Sequence, residues 1–121
     1  MQKLVWVSLF LWLLPSCQKT LPSLSEIDLA KWKEDKAGCL LVRQSFLVQL
    51  EQQKGKIKSL SESDVIELLG RPDKNELLKR NQKFFYYYLE PGPACGKESP
   101  AFKKLMIRFN AIGLAKEVSI E

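Results

Sequence analysis

The sequence predicts a small α+β domain, a two-layer sandwich whose helices cover one face of a three-stranded antiparallel sheet. Two serine-capped helix starts occupy the first half, and an aromatic run followed by two alternating segments occupies the second. A stretch rich in Pro and Gly, Glu90 to Pro100, separates the aromatic run from the first alternating segment and reads as a long loop.

Before the domain, Met1 to Ser16 reads as a lipoprotein leader. Lys3 gives a positive start, Leu4 to Leu14 is an eleven-residue apolar run, and Leu14-Pro15-Ser16-Cys17 resembles a lipobox. A span of that length is too short to cross roughly 30 Å of hydrocarbon as a helix, whereas a signal-peptide core needs no more. Pro15 stands where such boxes more often carry a small or β-branched residue, and an ordinary secretory leader or an apolar core helix is the alternative. Cys17 is the expected lipidation site. Gln18 follows it rather than Asp, so the expected destination is the outer membrane, with the domain facing the periplasm.

Residues 17–24 form the lipidated cysteine and a tether, because Thr20, Pro22 and Ser23 interrupt any apolar period. Its reach is at most about 25 Å at the extended rise per residue. The domain then spans 25–121. Leu24-Ser25-Glu26-Ile27-Asp28-Leu29 and Leu60-Ser61-Glu62-Ser63-Asp64-Val65 share one grammar: a leucine, a serine cap, and acids where the helix dipole favours them.

The first of these predicts a helix from Glu26 to about Ala37, burying Leu29 and Trp32 and stopping at Gly38. A second helix is expected from about Cys39 to Gln53, with Val42, Arg43, Phe46, Leu47 and Leu50 on one side. Arg43 inside that apolar stripe calls for a carboxylate from Asp28, Glu34, Asp35 or Asp64, or else snorkels outward. A structural ion pair is preferred over a binding role. A short helix, Glu62 to Leu69, presents Val65, Leu68 and Leu69 and ends at Gly70. Gly70 takes the left-handed cap and Pro72 blocks continuation, so Gly70-Arg71-Pro72 is a structural corner. Leu77 and Leu78 are read as loop or a brief turn of helix.

Phe84-Phe85-Tyr86-Tyr87-Tyr88-Leu89 is the first expected strand. If Phe85, Tyr87 and Leu89 face the helices, Tyr86 and Tyr88 point outward, where exposed tyrosines are frequent interface anchors. They are the candidate protein-binding residues. Leu105, Ile107 and Phe109 alternate with Lys104, Met106 and Arg108 in the second strand. In the third, Leu114, Lys116, Val118 and Ile120 alternate with Ala115, Glu117, Ser119 and Glu121, with the first set on the chiefly apolar face.

Composition narrows the function classes. Removing the leader takes Lys3 from nineteen basic residues, leaving eighteen against fourteen acids, a charge of +4 on about 105 residues. That suits one domain and is no nucleic-acid signature. Lysine clusters at 54, 56 and 58, at 79, 80 (Arg) and 83, and at 103 and 104 read as solvated surface, with anionic lipid headgroups a weaker possibility. Cys39 and Cys95 are expected to form a disulfide, stabilising by about 4 kcal/mol through lost unfolded-chain entropy, against two buried free thiols. The chain contains no histidine, nucleophile elbow, phosphate loop or metal-ligand spacing, so no enzyme, cofactor, metal or small-molecule substrate is expected.

The stretch Ser61 to Asp73, the aromatic strand and Phe109-Asn110 to Gly113 resemble the SmpA/OmlA family of small outer-membrane lipoproteins, which includes the BamE subunit of the β-barrel assembly machinery. The resemblance covers roughly residues 60–121 and the lipidated start. It implies an ααβββ layout and a protein partner in the cell envelope. The helix-on-sheet scaffold also resembles the β-lactamase-inhibitory protein repeats, whose sheet face binds other proteins. Together these readings give a lipid-anchored, non-catalytic interaction or scaffold domain, an accessory of outer-membrane protein assembly or envelope integrity. The alternative is a small periplasmic inhibitor or ligand-binding module.

Overall fold

The computed structural model describes residues 20–98 and 101–121; the expected leader and Cys17 lie outside them. Among the described residues four α-helices precede a four-stranded antiparallel sheet with its strands in sequence order. The helices are α1 (Leu29–Glu34), α2 (Val42–Ser45), α3 (Leu47–Gln53) and α4 (Glu62–Leu69), and the strands β1 (Lys74–Leu78), β2 (Gln82–Tyr88), β3 (Lys104–Phe109) and β4 (Ala115–Ile120).

The helical layer is more broken than its periodicity suggests. Ser25 caps nothing; its backbone N–H and C=O are both held by the Gln53 side chain, at 2.6 and 2.7 Å. Glu26 has φ +62°, so the chain turns there, and α1 begins only after Asp28, whose carboxylate accepts from the Lys31 N–H. Leu24 and Ile27 enter the core on either side of that turn, so the segment expected as a tether is already docked at Leu24. The single helix expected over 39–53 starts at Val42, because Leu41 is left-handed, and breaks at Phe46. A 3₁₀ turn, Lys54–Ile57, continues it and buries Ile57. By contrast, α4 has the expected bounds: Ser61 Oγ accepts from the Asp64 N–H, and Gly70, at φ +83°, ends it.

The central strands pair Phe85 with Ile107 and Tyr87 with Leu105, and these four side chains share the covered face with Phe109, Ala115 and Val118. Against them pack Trp32, Leu50, Val65, Leu68 and Leu69. Each such fully buried side chain contributes about 1.5 to 3 kcal/mol by leaving water. The Phe85 and Phe109 rings meet edge to face, 4.7 Å apart.

Two features of the sheet differ from expectation. A fourth strand, β1, uses Leu77 and Leu78 and pairs with the aromatic strand, Lys74 opposite Tyr86 and Leu78 opposite Gln82. In β4 a bulge shifts the register: Arg108 faces Glu117, but Phe109 faces Ala115. Lys116 is the extra residue and goes to solvent, so Ala115 takes the core position expected for its neighbours.

Candidate functional site

The structure brings the expected residues into two places, one buried and one open. The buried one is built on Arg43. Its Nη1 lies 2.6 Å from Asp73 Oδ2 and donates to Tyr88 O at 3.3 Å, and its Nε donates to Trp32 O at 3.0 Å. The guanidinium stacks over the Trp32 ring at 5.0 Å and lies 5.9 Å from that of Tyr87. None of the four carboxylates expected to pair with it does so. Asp35 is close, but it accepts backbone N–H groups, from Leu40 at 2.6 Å and Arg43 at 2.9 Å.

Asp73 completes the knot by accepting from the Ala37 N–H at 2.8 Å and the Tyr88 N–H at 2.7 Å. The Gly70-Arg71-Pro72 corner is what delivers it. Tyr87 donates its hydroxyl to Gly70 O at 2.7 Å, and Trp32 Nε1 donates to Leu69 O at 3.1 Å, so both rings fasten the end of α4. Burial holds the Tyr87 phenol well above the ordinary tyrosine range, with the Asp73 charge adding and the Arg43 charge opposing. With Arg43 Nε and Nη1 and the carboxylates of Asp35 and Asp73 all hydrogen-bonded, the knot orders α1, α2, the corner and β2 against one another.

Beside it, Cys39 and Cys95 are joined in a disulfide, their Cα atoms 5.5 Å apart. Gly38 makes the approach possible: at φ +69°, a Cβ there would lie 2.8 Å from Tyr88 O. The bond ties the start of the second helical segment to the long loop after β2, and that loop carries Phe102.

The open site is the other face of the sheet, which no helix among the described residues covers. Tyr86 and Tyr88 point there, as the conditional register had them. Phe84 and Tyr86 stack at 6.3 Å, and Tyr88 meets Phe102 edge-on at 4.9 Å. Lys104 links the two pairs, its Nζ 5.3 Å from the Tyr86 ring and 5.8 Å from that of Phe102, while Lys74 lies 5.8 Å from Tyr86 on the opposite side. Both phenols are pushed above their ordinary value: Tyr86 by burial and then by Glu76 and Glu121, Tyr88 by burial and then by Asp73. Beyond Tyr88 and Phe102 the surface dips into a groove of about 460 Å³ lined by Glu90, Phe102, Lys103, Lys104 and Glu121.

Sequence reasoning missed three members of this face. Phe102 lies in the turn-rich segment, where no period marks it. The alternation around Lys104 marks the polar side of the strand and carries no sign of its cation–aromatic contacts. Met106 alternates with charged residues in the sequence, yet it is 6% exposed, lying between Tyr86 and Ser119 in the middle of the outer face.

No protein family profile, curated protein or solved structure matches this chain. The outer face offers aromatic rings, aliphatic lysine stems and balanced charge, a surface that can bury area against a partner. Among the described residues no group of three or more His, Cys, Asp or Glu is placed to hold a metal ion, and no helix is long and apolar enough to cross a membrane.

Proposed function

We propose that this chain is a membrane-tethered, non-catalytic interaction domain, an accessory subunit of an envelope complex of the SmpA/OmlA kind, anchored through lipid on Cys17 at the outer membrane. The observation that carries the reading is the uncovered aromatic face of Phe84, Tyr86, Tyr88 and Phe102, set opposite a well-filled core. Isolated exposed apolar residues are ordinary, but a contiguous aromatic row along one strand and the loop that follows it is the kind of surface that interfaces use. The seating of Phe102 against Tyr88 and over Gly92 supports it, since a ring already held in place lowers the ordering cost of association.

A photo-crosslinking amino acid placed at Tyr86 in intact cells tests this, with Lys31 on the helical layer as the control position. Envelope assembly proteins captured from Tyr86 and not from Lys31 are the expected result. Capture of one soluble enzyme instead favours the inhibitor reading, and equal yields from both positions overturn the assignment of the face. The anchor is checked separately by the mass of the mature chain, which carries acyl groups on Cys17.

A further inference from the structure

Antiparallel connectivity sorts the loops of this sheet onto two ends. The β1–β2 and β3–β4 turns lie at one end, and the long loop with the disulfide lies at the other. The two-turn end exposes large apolar side chains at its tips: Ile112 is 78% exposed, Leu77 70% and Leu78 45%. Cations stand among them. Arg80 is in the β1–β2 turn, Lys116 on the β4 bulge, and Lys58 immediately before Ser59, whose N–H donates to Ala115 O at 2.8 Å.

Acids nearby are largely engaged. Glu62 holds Lys83 at 2.6 Å and Glu117 holds Arg108 at 3.1 Å. The opposite end also exposes apolar residues, Leu40 and Leu41, but Glu90, Glu98 and Glu121 intersperse the cations of that half.

The start of the domain points the same way. Lys56 Nζ donates to Ser23 O at 3.0 Å, and Gln53 clamps Ser25, so the incoming chain is fastened to the Lys54–Ile57 turn that leads into this end. Cys17 lies six residues before Ser23, at most about 20 Å away along an extended chain.

We propose that the two-turn end of the sheet rests on an anionic bilayer surface, with Ile112, Leu77 and Leu78 in the interfacial layer and Lys58, Arg80 and Lys116 against lipid phosphates. This rests on the membrane-tethered reading and deepens it, because it sets which way the domain stands. Apolar tips ringed by cations are the pattern that partitions into a headgroup layer. In that pose the outer aromatic face stands upright on the membrane, open to a neighbour in its plane.

The test uses the mature chain with Cys17→Ser, so that binding reports the protein surface without the acyl anchor. It is expected to co-float with phosphatidylglycerol vesicles and not with phosphatidylcholine vesicles. Single substitutions K58Q, R80Q and K116Q are each expected to weaken binding about fivefold, and I112S roughly tenfold. The pair K36Q and K97Q, which removes twice the charge of any one of these at the disulfide end, leaves it unchanged. Binding that ignores lipid charge, absence of binding, or equal loss in the K36Q/K97Q chain overturns the proposal. Failure of acylation is seen only in the mass of the wild-type mature chain, so the two ideas fall separately.

Discussion

Arg43 shows how one residue type in the wrong pattern announces a structural role without naming its partner. A guanidinium in an apolar stripe has to be neutralised, and that much follows from desolvation alone. Its partner, Asp73, lies thirty residues away at a corner that closes only when β2 pairs with β1, so no local pattern selected it over Asp35 or Asp28. Removing the cation alone leaves Asp73 with two backbone donors, whereas removing the carboxylate charge leaves Arg43 buried and unpaired. Arg43→Met and Asp73→Asn are each expected to cost about 3 to 5 kcal/mol in chemical denaturation, with Asp73→Asn the larger. The double variant should cost clearly less than the sum of the two. The phenols supply a second test. Their folded-state pKa values lie above the ordinary value of 10.0, so between the unfolded and folded values the native state holds protons that the unfolded chain has lost. Stability from this source is intact below pH 10 and falls as pH rises beyond it, which alkaline melting curves will show. In Tyr87→Phe that added alkaline fall should shrink, although the lost hydroxyl bond to Gly70 O lowers stability at every pH.

Among elements, the two serine-led segments have the same local grammar and opposite outcomes. Ser61→Ala removes a side-chain cap from α4 and is expected to cost about 1 kcal/mol. Ser25→Ala removes a hydroxyl that caps nothing, because only the Ser25 backbone is held, and the melting temperature should scarcely move. Leu24 and Ile27 explain the contrast: both are buried, and the chain seats them by turning at Glu26 instead of coiling. Tertiary burial thus overrode a correct local signal. Strand β1 was illegible for the converse reason. Its sequence, Lys74-Asn75-Glu76-Leu77-Leu78, has no alternation because it is an edge strand with little of it buried, and pairing with β2 is what makes it extended. The aromatic strand and α4 were readable because their own side chains fill the core at the period of their own backbone. The β4 bulge left no mark in the alternation, so Lys116 and Ala115 exchanged roles unseen.

At the scale of the whole molecule, the decisive asymmetry is between the two faces of one sheet. The two-layer architecture follows from amphipathic helices in one half and strands in the other, and so does the existence of an uncovered face. What occupies that face depends on the Phe102 loop and on Met106, which only the three-dimensional register brings beside Tyr86. Phe85 and Tyr86 are adjacent, similar in size and on opposite sides, which makes them the sharpest probe of this arrangement. Phe85→Ala opens a cavity against Phe109 and the helices, at an expected cost of about 3 to 5 kcal/mol. Tyr86→Ala uncovers Met106 and frees two lysines, at an expected cost within about 1 kcal/mol. Urea titrations should therefore show a large midpoint shift for the first and a small one for the second, with unchanged slopes. If Tyr86→Ala were as costly as Phe85→Ala, its ring would belong to the folding core and the outer face would lose its standing as a surface kept free for a partner. A small cost combined with lost crosslinking at the neighbouring Tyr88 position would place the worth of Tyr86 in association.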